Sequence, residues 1–234
     1  DLAMPEEVNR IETDKLADLL IAPTKTAVEN LEAEGIFGAF LTGDIMHDNA
    51  LYFTSDVEGK RSDTVLLTIH RPSNVDDPTR VEAWLRTIGG WCEENALRAV
   101  FPVHPRTLKS IETLHGDGWI EELAKINIDA VQPVGYIELL GLIKSSRLVV
   151  TDSGGVQKEA FFYDVPCITM RDETEWIELV KYGINTVVGA DFKAIISAIA
   201  NRKSDIDFGK RFYGDGQAAS GIIDKLVDYS FSNP

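Results

Sequence analysis

The sequence predicts an α/β chain with a doubly wound parallel sheet, and three observations predict it. Short apolar, β-branched runs alternate with longer segments of helical spacing, the pattern of successive βα units. The runs stop at polar residues and glycines, as parallel strands do where they meet a crossover. A length of 234 residues with 44% hydrophobic content is enough to bury a real core.

Taken in order, residues 10–20 place Ile11, Leu16, Leu19 and Leu20 on one helical stripe. The apolar segment 20–22 follows, and Pro23-Thr24 forms a turn that opens a helix over 25–34. Residues 40–44 read as a short strand ending in a turn, and 49–61, with weak periodicity and polar ends, as a linker or hinge. Residues 64–70 form a buried strand. Asp77 then supplies an N-cap and Pro78 a first helical residue, with Val81, Trp84, Leu85, Ile88, Trp91 and Cys92 spaced three and four apart. Strands over 97–104, 128–134, 147–151 and 165–170 alternate with helices over 105–114, 137–145, 155–163 and 173–182. A short strand at 185–188 and helical stripes over 192–200 and 218–229 close the chain, with no repeat period or low-complexity segment.

Charge narrows the partners. Twenty-three Lys and Arg against 38 Asp and Glu give a net charge of −15, which repels nucleic acid and anionic membranes. Any anionic ligand must then be held locally, by a few arginines and by N–H groups at helix starts. No stretch approaches the roughly 20 apolar residues of a membrane span. Cys92 and Cys167 read as small buried hydrophobes rather than a disulfide framework, and a reducing cytoplasm is the expected compartment. No signal peptide pattern is visible. An opening Asp1, with the first methionine at Met4, suggests a chain that does not begin where its gene does.

In open α/β sheets ligands bind beyond the carboxyl ends of the strands. The residues there are His70-Arg71, His104-Pro105-Arg106, Gly135-Tyr136, Asp152-Ser153-Gly154-Gly155 and Arg171-Asp172, a set rich in groups that hold anions. Singly, each reads equally well as a polar strand end; together they converge on one rim. Ser153, Gly154 and Gly155 let backbone approach a phosphate at a helix start, although a Gly-Gly turn is also a common connector. Glu159, about one turn further, reads as a ribose ligand or as an acid favoured near a helix N-terminus. His70, ending a buried strand beside Arg71, suits phosphate contact or proton transfer, or is an ordinary polar strand end. His104 carries the same two readings, and no Cys or His spacing supports a zinc site. Glu6, Glu7 and Arg10 at a helix start read either as ordinary helix-initiating acids or as a carboxylate for acid/base work with an arginine to hold an anion.

Taken together, these segments resemble the non-hydrolysing UDP-N-acetylglucosamine 2-epimerases. The motifs run in order through almost the whole chain: Met-Pro-Glu-Glu-Val-Asn-Arg (4–10), Ala-Pro-Thr then Glu-Asn-Leu (22–31), Thr-Ile-His-Arg (68–71), His-Pro-Arg-Thr (104–107), Pro-Val-Gly-Tyr (133–136), Thr-Asp-Ser-Gly-Gly-Val-Gln-Lys-Glu-Ala (151–160), Met-Arg-Asp-Glu-Thr-Glu (170–175) and Tyr-Gly-Asp-Gly-Gln-Ala (213–218). The resemblance implies a Rossmann-like sheet forming one half of a glycosyltransferase-B type fold, with residues 1–45 the end of an amino-terminal domain, 46–63 a crossover linker and 64–234 the UDP-binding domain with C-terminal helices. It implies inversion at C2 of UDP-N-acetylglucosamine to UDP-N-acetylmannosamine, by elimination of UDP to a glycal and re-addition, with no cofactor. Carried over by position, Glu6 and His70 are catalytic; Arg10, Ser153, Gly154, Gly155 and Glu159 contact the nucleotide and diphosphate. Arg71 and His104 line the cleft, where some members bind a second, activating UDP-N-acetylglucosamine, and Arg171 joins the substrate-binding set as a strand-end cation. A homodimer is also implied.

The family's amino-terminal Gly-Thr-Arg-Pro-Glu loop and two further catalytic carboxylates have no counterpart here. Pro72-Ser73 and Trp176-Ile177 stand where the family usually has an acidic residue after His-Arg and Arg-Pro after Thr-Glu. The expectation is therefore a fragment that binds UDP weakly and does not epimerise alone. An epimerase of a related UDP-sugar such as a diacetamido-uronic acid, a glycosyltransferase and a non-catalytic nucleotide-sugar-binding module are the alternatives.

Overall fold

A computed structural model describes residues 5–54, 61–189, 191, 194, 197, 198 and 206–232. The chain divides into two compact units, one of Asp1–Phe53 with Lys210–Pro234 and one of Thr54–Gly209.

The first unit opens with α1 (Pro5–Leu16), β1 (Ile21–Ala22), α2 (Lys25–Ala33), β2 (Phe40–Leu41) and α3 (Ile45–Phe53). Thr24 caps α2 by accepting from Ala27 N at 3.0 Å, and β1 pairs in parallel with β2, Ile21 opposite Phe40. The strand expected over 40–44 stops at Leu41, because Gly43 turns with φ +87° and its Cα packs on the Tyr213-Gly214 backbone. A Cβ at Gly43 would lie 3.0 Å from the Tyr213 carbonyl.

The second unit carries β3 (Thr64–Thr68), α4 (Pro72–Val75), α5 (Pro78–Glu94), β4 (Arg98–Pro102), α6 (Pro105–His115), α7 (Trp119–Ala124), β5 (Ile128–Val131), α8 (Tyr136–Ser145), β6 (Leu148–Thr151), α9 (Gly154–Phe162), β7 (Cys167–Thr169), α10 (Ile177–Lys181) and β8 (Asn185–Val187). The six strands pair in parallel in the order β5-β4-β3-β6-β7-β8. Chain order reverses direction between β3 and β6, the switch point at which such sheets open a crevice.

The doubly wound arrangement follows from the pleat, which sends alternate side chains to opposite faces. Val65, Leu67 and Ile69 join Val81, Trp84, Leu85, Ile88, Phe101, Ile111 and Leu123 in one buried cluster. Leu66 and Val149 join Leu140, Ile143, Val156, Ala160, Val165 and Cys167 in the other. Asp77 caps α5, accepting from Thr79 N at 2.9 Å, with Pro78 at the first helical position as its spacing predicts. Cys92 and Cys167 are free and buried, and burial pushes both thiols up to about 12, so neither is a ready nucleophile.

The last helix, α11 (Ala218–Ser232), belongs to the first unit. The Asp48 carboxylate in α3 accepts from the backbone N–H groups of Ala218 and Ala219 at 3.1 and 2.7 Å, capping α11 across the sequence. The division thus differs from the expected 1–45, 46–63 and 64–234: residues 46–53, expected as linker, belong to helix α3, and 210–234 join the first unit. A carboxylate cap 170 residues away leaves no local sequence signal. Most of the helical stripe expected over 192–200 lies outside the described residues.

Gly89 in α5 faces the backbone of Ile126, where an added Cβ would sit 2.1 Å from the carbonyl oxygen. Gly→Ala in a helix interior ordinarily stabilises by up to about 1 kcal/mol. Here the close approach reverses the sign: Gly89→Ala is expected to lower stability by about 2–3 kcal/mol in denaturant titration, and a neutral or stabilising result would contradict this packing.

Candidate functional site

β3 and β6 run side by side, Thr68 opposite Thr151 in register, and the loops that follow them meet at the switch point. At their junction Asp152 is fully buried. Its carboxylate accepts from His70 N at 3.0 Å, Arg71 N at 2.9 Å and the Asn74 amide at 3.0 Å. His70 Nδ1 lies 3.1 Å from the same carboxylate. Burial alone would push the Asp152 carboxyl up, but the hydrogen bonds from His70, Asn74 and the Arg71 N–H outweigh it and hold it below its ordinary value. An ionised Asp152 requires the proton on His70 Nδ1, which leaves Nε2 as the nitrogen available to a ligand.

The same contacts shorten the expected strand over 64–70 to Thr68, because the next N–H groups turn to Asp152 instead of a neighbouring strand. Arg71 Nε also donates to the Asp152 carbonyl at 2.9 Å, and Asn74 to the Met170 carbonyl at 2.9 Å, tying the loops after β3, β6 and β7 together. His104 sits at the N-cap of α6, its Nδ1 accepting from Arg106 N at 3.1 Å, with its ring centroid 5.4 Å from that of His70. Beside these rings is a pocket of about 180 Å³ lined by Ile69, Pro102, Pro133, Val134, Leu139 and Val156, with His70, His104 and Ser153 at polar positions.

Ser153, Gly154 and Gly155 open α9, and Ser153 makes no side-chain capping bond. The N-terminal N–H groups and dipole of α9 therefore stand ready for an anion next to that pocket. Arg171 pairs with Glu175 at 2.6 Å, close to Gly154: a Cβ there would lie 3.1 Å from Glu175 Oε1 and 3.8 Å from Arg171 Nη1, so an incoming anion must shift the Glu175 carboxylate. Glu159 is buried rather than exposed at the helix surface; burial pushes its carboxyl up, partly opposed by a hydrogen bond from Tyr136 and by Lys158. Among the described residues no group of three or more His, Cys, Asp or Glu could hold a metal ion.

The structure thus brings His70, Arg71, His104, Ser153, Gly154, Gly155, Glu159 and Arg171 onto the second unit, most of them around its switch point. Glu6 and Arg10 belong to α1 in the first unit. The Glu6 side chain lies outside the described residues. The Arg10 guanidinium is held by Glu7, Asp14 and Glu34 at 2.8, 2.7 and 2.7 Å, contacts an incoming anion would compete with. Sequence reasoning listed Asp152 among strand ends without its organising part, and missed Asn74, whose partners are 78 and 96 residues away.

Two outcomes follow from this geometry. Asp152→Asn sets an amide N–H₂ against four donors and is expected to lose about 2–4 kcal/mol at neutral pH in denaturant titration. Because the folded-state pKa of Asp152 is lowered, its contribution is present above the ordinary carboxylate range and fades as pH falls through the folded value, so wild type and variant should converge in acid. For Glu159 the sign is opposite: with a raised folded pKa, its ionised form disfavours folding at neutral pH. Glu159→Gln should therefore melt at or above the wild-type temperature at neutral pH, with the difference gone in acid; a lower neutral-pH melting temperature would show the carboxylate to be net stabilising.

A family model described as UDP-N-acetylglucosamine 2-epimerase matches residues 1–227. The chain is 42% identical over 237 residues to a UDP-2,3-diacetamido-2,3-dideoxy-D-glucuronate 2-epimerase of Pseudomonas aeruginosa, covering 97% of this chain and 64% of that protein. It is 35% identical over 243 residues to a UDP-N-acetylglucosamine 2-epimerase of Methanocaldococcus jannaschii, covering 98% and 66%. A crystal structure of the Methanocaldococcus jannaschii UDP-GlcNAc 2-epimerase in complex with UDP-GlcNAc and UDP superposes with a TM-score of 0.78 at 35% identity, over 97% of this chain and 66% of that one. The chain spans about two thirds of the length of these relatives, just under it for the first. The Rossmann-like α/β sheet of glycosyltransferase-B type expected from the sequence is the fold observed.

Proposed function

The chain belongs to the UDP-N-acetylglucosamine 2-epimerase family, and we propose from that premise that its second unit binds a UDP-linked 2-acetamido sugar for inversion at C2. The observation that carries the reading is the Asp152 carboxylate, which orients His70 beside the uncapped start of α9. The diphosphate rests on the Gly154 and Gly155 N–H groups with Arg171 and Arg71 nearby, the nucleoside extends toward Glu159 and the apolar pocket, and His70 Nε2 faces the reacting end of the sugar. UDP leaves C1 as the C2 proton is removed, giving a glycal; UDP adds back once C2 has been protonated on its other face. His70 holds or delivers one proton of that sequence, and Glu6, on α1, is the candidate for a second acid/base group.

UDP-N-acetylglucosamine is the first candidate substrate. The Pseudomonas aeruginosa relative at 42% identity favours a second, a UDP-2,3-diacetamido uronic acid, and the two differ by an acetamido group at C3 and a carboxylate at C6. Arg71 and His104 are the residues we propose for an additional, activating UDP-sugar, and a homodimer for the assembly.

Incubating the natural gene product with each UDP-sugar and following C2 inversion by proton NMR separates the substrates; UDP binding with no turnover on either would mark a binding module instead. In the same assay His70→Ala should lower kcat by about 100-fold or more, while the calorimetric UDP affinity changes less than about threefold. Equal loss of both would make His70 a phosphate ligand rather than a catalytic residue.

A further inference from the structure

The segment between β7 and α10 lies against the start of α9 and does more there than place Arg171. Trp176 Nε1 donates to the Gly154 carbonyl at 2.8 Å, and the Gln157 amide donates to the Ser153 carbonyl at 3.1 Å. Two successive carbonyls of the turn are thus each held by a side chain. The two side chains are themselves joined: Thr174 Oγ1 donates to Gln157 Oε1 at 2.7 Å and accepts from Trp176 N at 3.2 Å. Buried Asn185 adds a bond to Gln157 Oε1 at 3.2 Å, and Lys158 Nζ lies over the Trp176 ring, 4.3 Å from its centroid. These bonds also explain why the helix expected over 173–182 begins only at Ile177.

Peptide planarity gives the brace a consequence. Holding the oxygen of one residue fixes the direction of the N–H on the next, so the Ser153 carbonyl sets the Gly154 N–H and the Gly154 carbonyl sets the Gly155 N–H. Gly154 and Gly155 are the first residues of α9, where glycine is the most permissive choice and the N–H groups have no partner within the helix, and a loosely aimed N–H must be ordered when the anion arrives. We propose that Trp176, linked through Thr174 to Gln157, is a positioning residue that presets the Gly154 and Gly155 N–H groups for a diphosphate. It touches no ligand itself, and the proposal rests on the reading of the α9 start as the UDP site.

Calorimetry with UDP and with uridine, on the natural gene product and on Trp176→Phe, tests it. Phenylalanine keeps an aromatic ring beneath Lys158 and removes the N–H together with the fused five-membered ring, which is why the comparison with uridine and the Thr174 variant accompany it. The expected result is about a five- to tenfold loss of UDP affinity, the size of one net hydrogen bond, with uridine affinity unchanged. Unchanged UDP affinity, or an equal fall for both ligands, overturns the brace while leaving the UDP site standing. A folded wild-type protein that binds no UDP overturns the site reading and the brace with it. Should Trp176→Phe fail to fold, Thr174→Val, which cuts the link but keeps the indole, must show a smaller loss confined to UDP; no loss there overturns the proposal equally.

Discussion

A carboxylate with no access to water organises the carboxyl edge of the sheet. Asp152 is fully buried, and an ionised group there is tolerated only if hydrogen-bond donors surround it. Those donors come from the loop after β3 and from α4: two backbone N–H groups and one imidazole from the loop, and the Asn74 amide from the helix. Satisfying Asp152 therefore ends β3, sets the entry to α4, and leaves His70 with one defined free nitrogen. Asn74, also bonded to the Met170 carbonyl, carries the constraint on to the loop after β7. A single buried charge thus couples the end of β3 to the ends of β6 and β7, which lie 78 and 96 residues further along the chain from Asn74.

What the sequence makes legible is local, and what it hides is long-range. The βα alternation, the Asp77-Pro78 helix start and the position of Ser153-Gly154-Gly155 between β6 and α9 depend on neighbouring residues and on periodicity, and they are where the pattern puts them. Strand ends are not: the run 64–70 keeps β-branched and leucine residues as far as Ile69, yet contact with Asp152 decides that its last residues leave the ladder. The same holds for residues 173–176, helical by spacing but held by Gln157 and Gly154, and for α11, which a carboxylate in α3 draws into the first unit. Glu159 shows the limit for a site residue. Its place in α9 was readable, whereas its burial, and hence its raised pKa, depends on how α9 packs and on Tyr136 from a separate helix.

The overall charge frames the electrostatics of this edge. A chain with a net charge of −15 would be a poor host for a diphosphate if the carboxylates around the α9 start were free to repel it. Each is quieted by a different device. Asp152 directs its charge to buried donors, Glu175 is paired with Arg171 at 2.6 Å, and Glu159 is buried, with the Tyr136 hydrogen bond and Lys158 acting on its carboxylate. Beside the Arg171–Glu175 pair that turn presents its helix N–H groups, a short-range positive field that falls off within about one helical turn. Global charge and local affinity are then compatible because they act over different distances: solution ions screen the first beyond roughly 8–10 Å, whereas the second works at hydrogen-bonding range. The consequence for selectivity is that this edge favours anions that can come into direct contact with the turn. Anions that stay hydrated at a distance meet only the acidic surface.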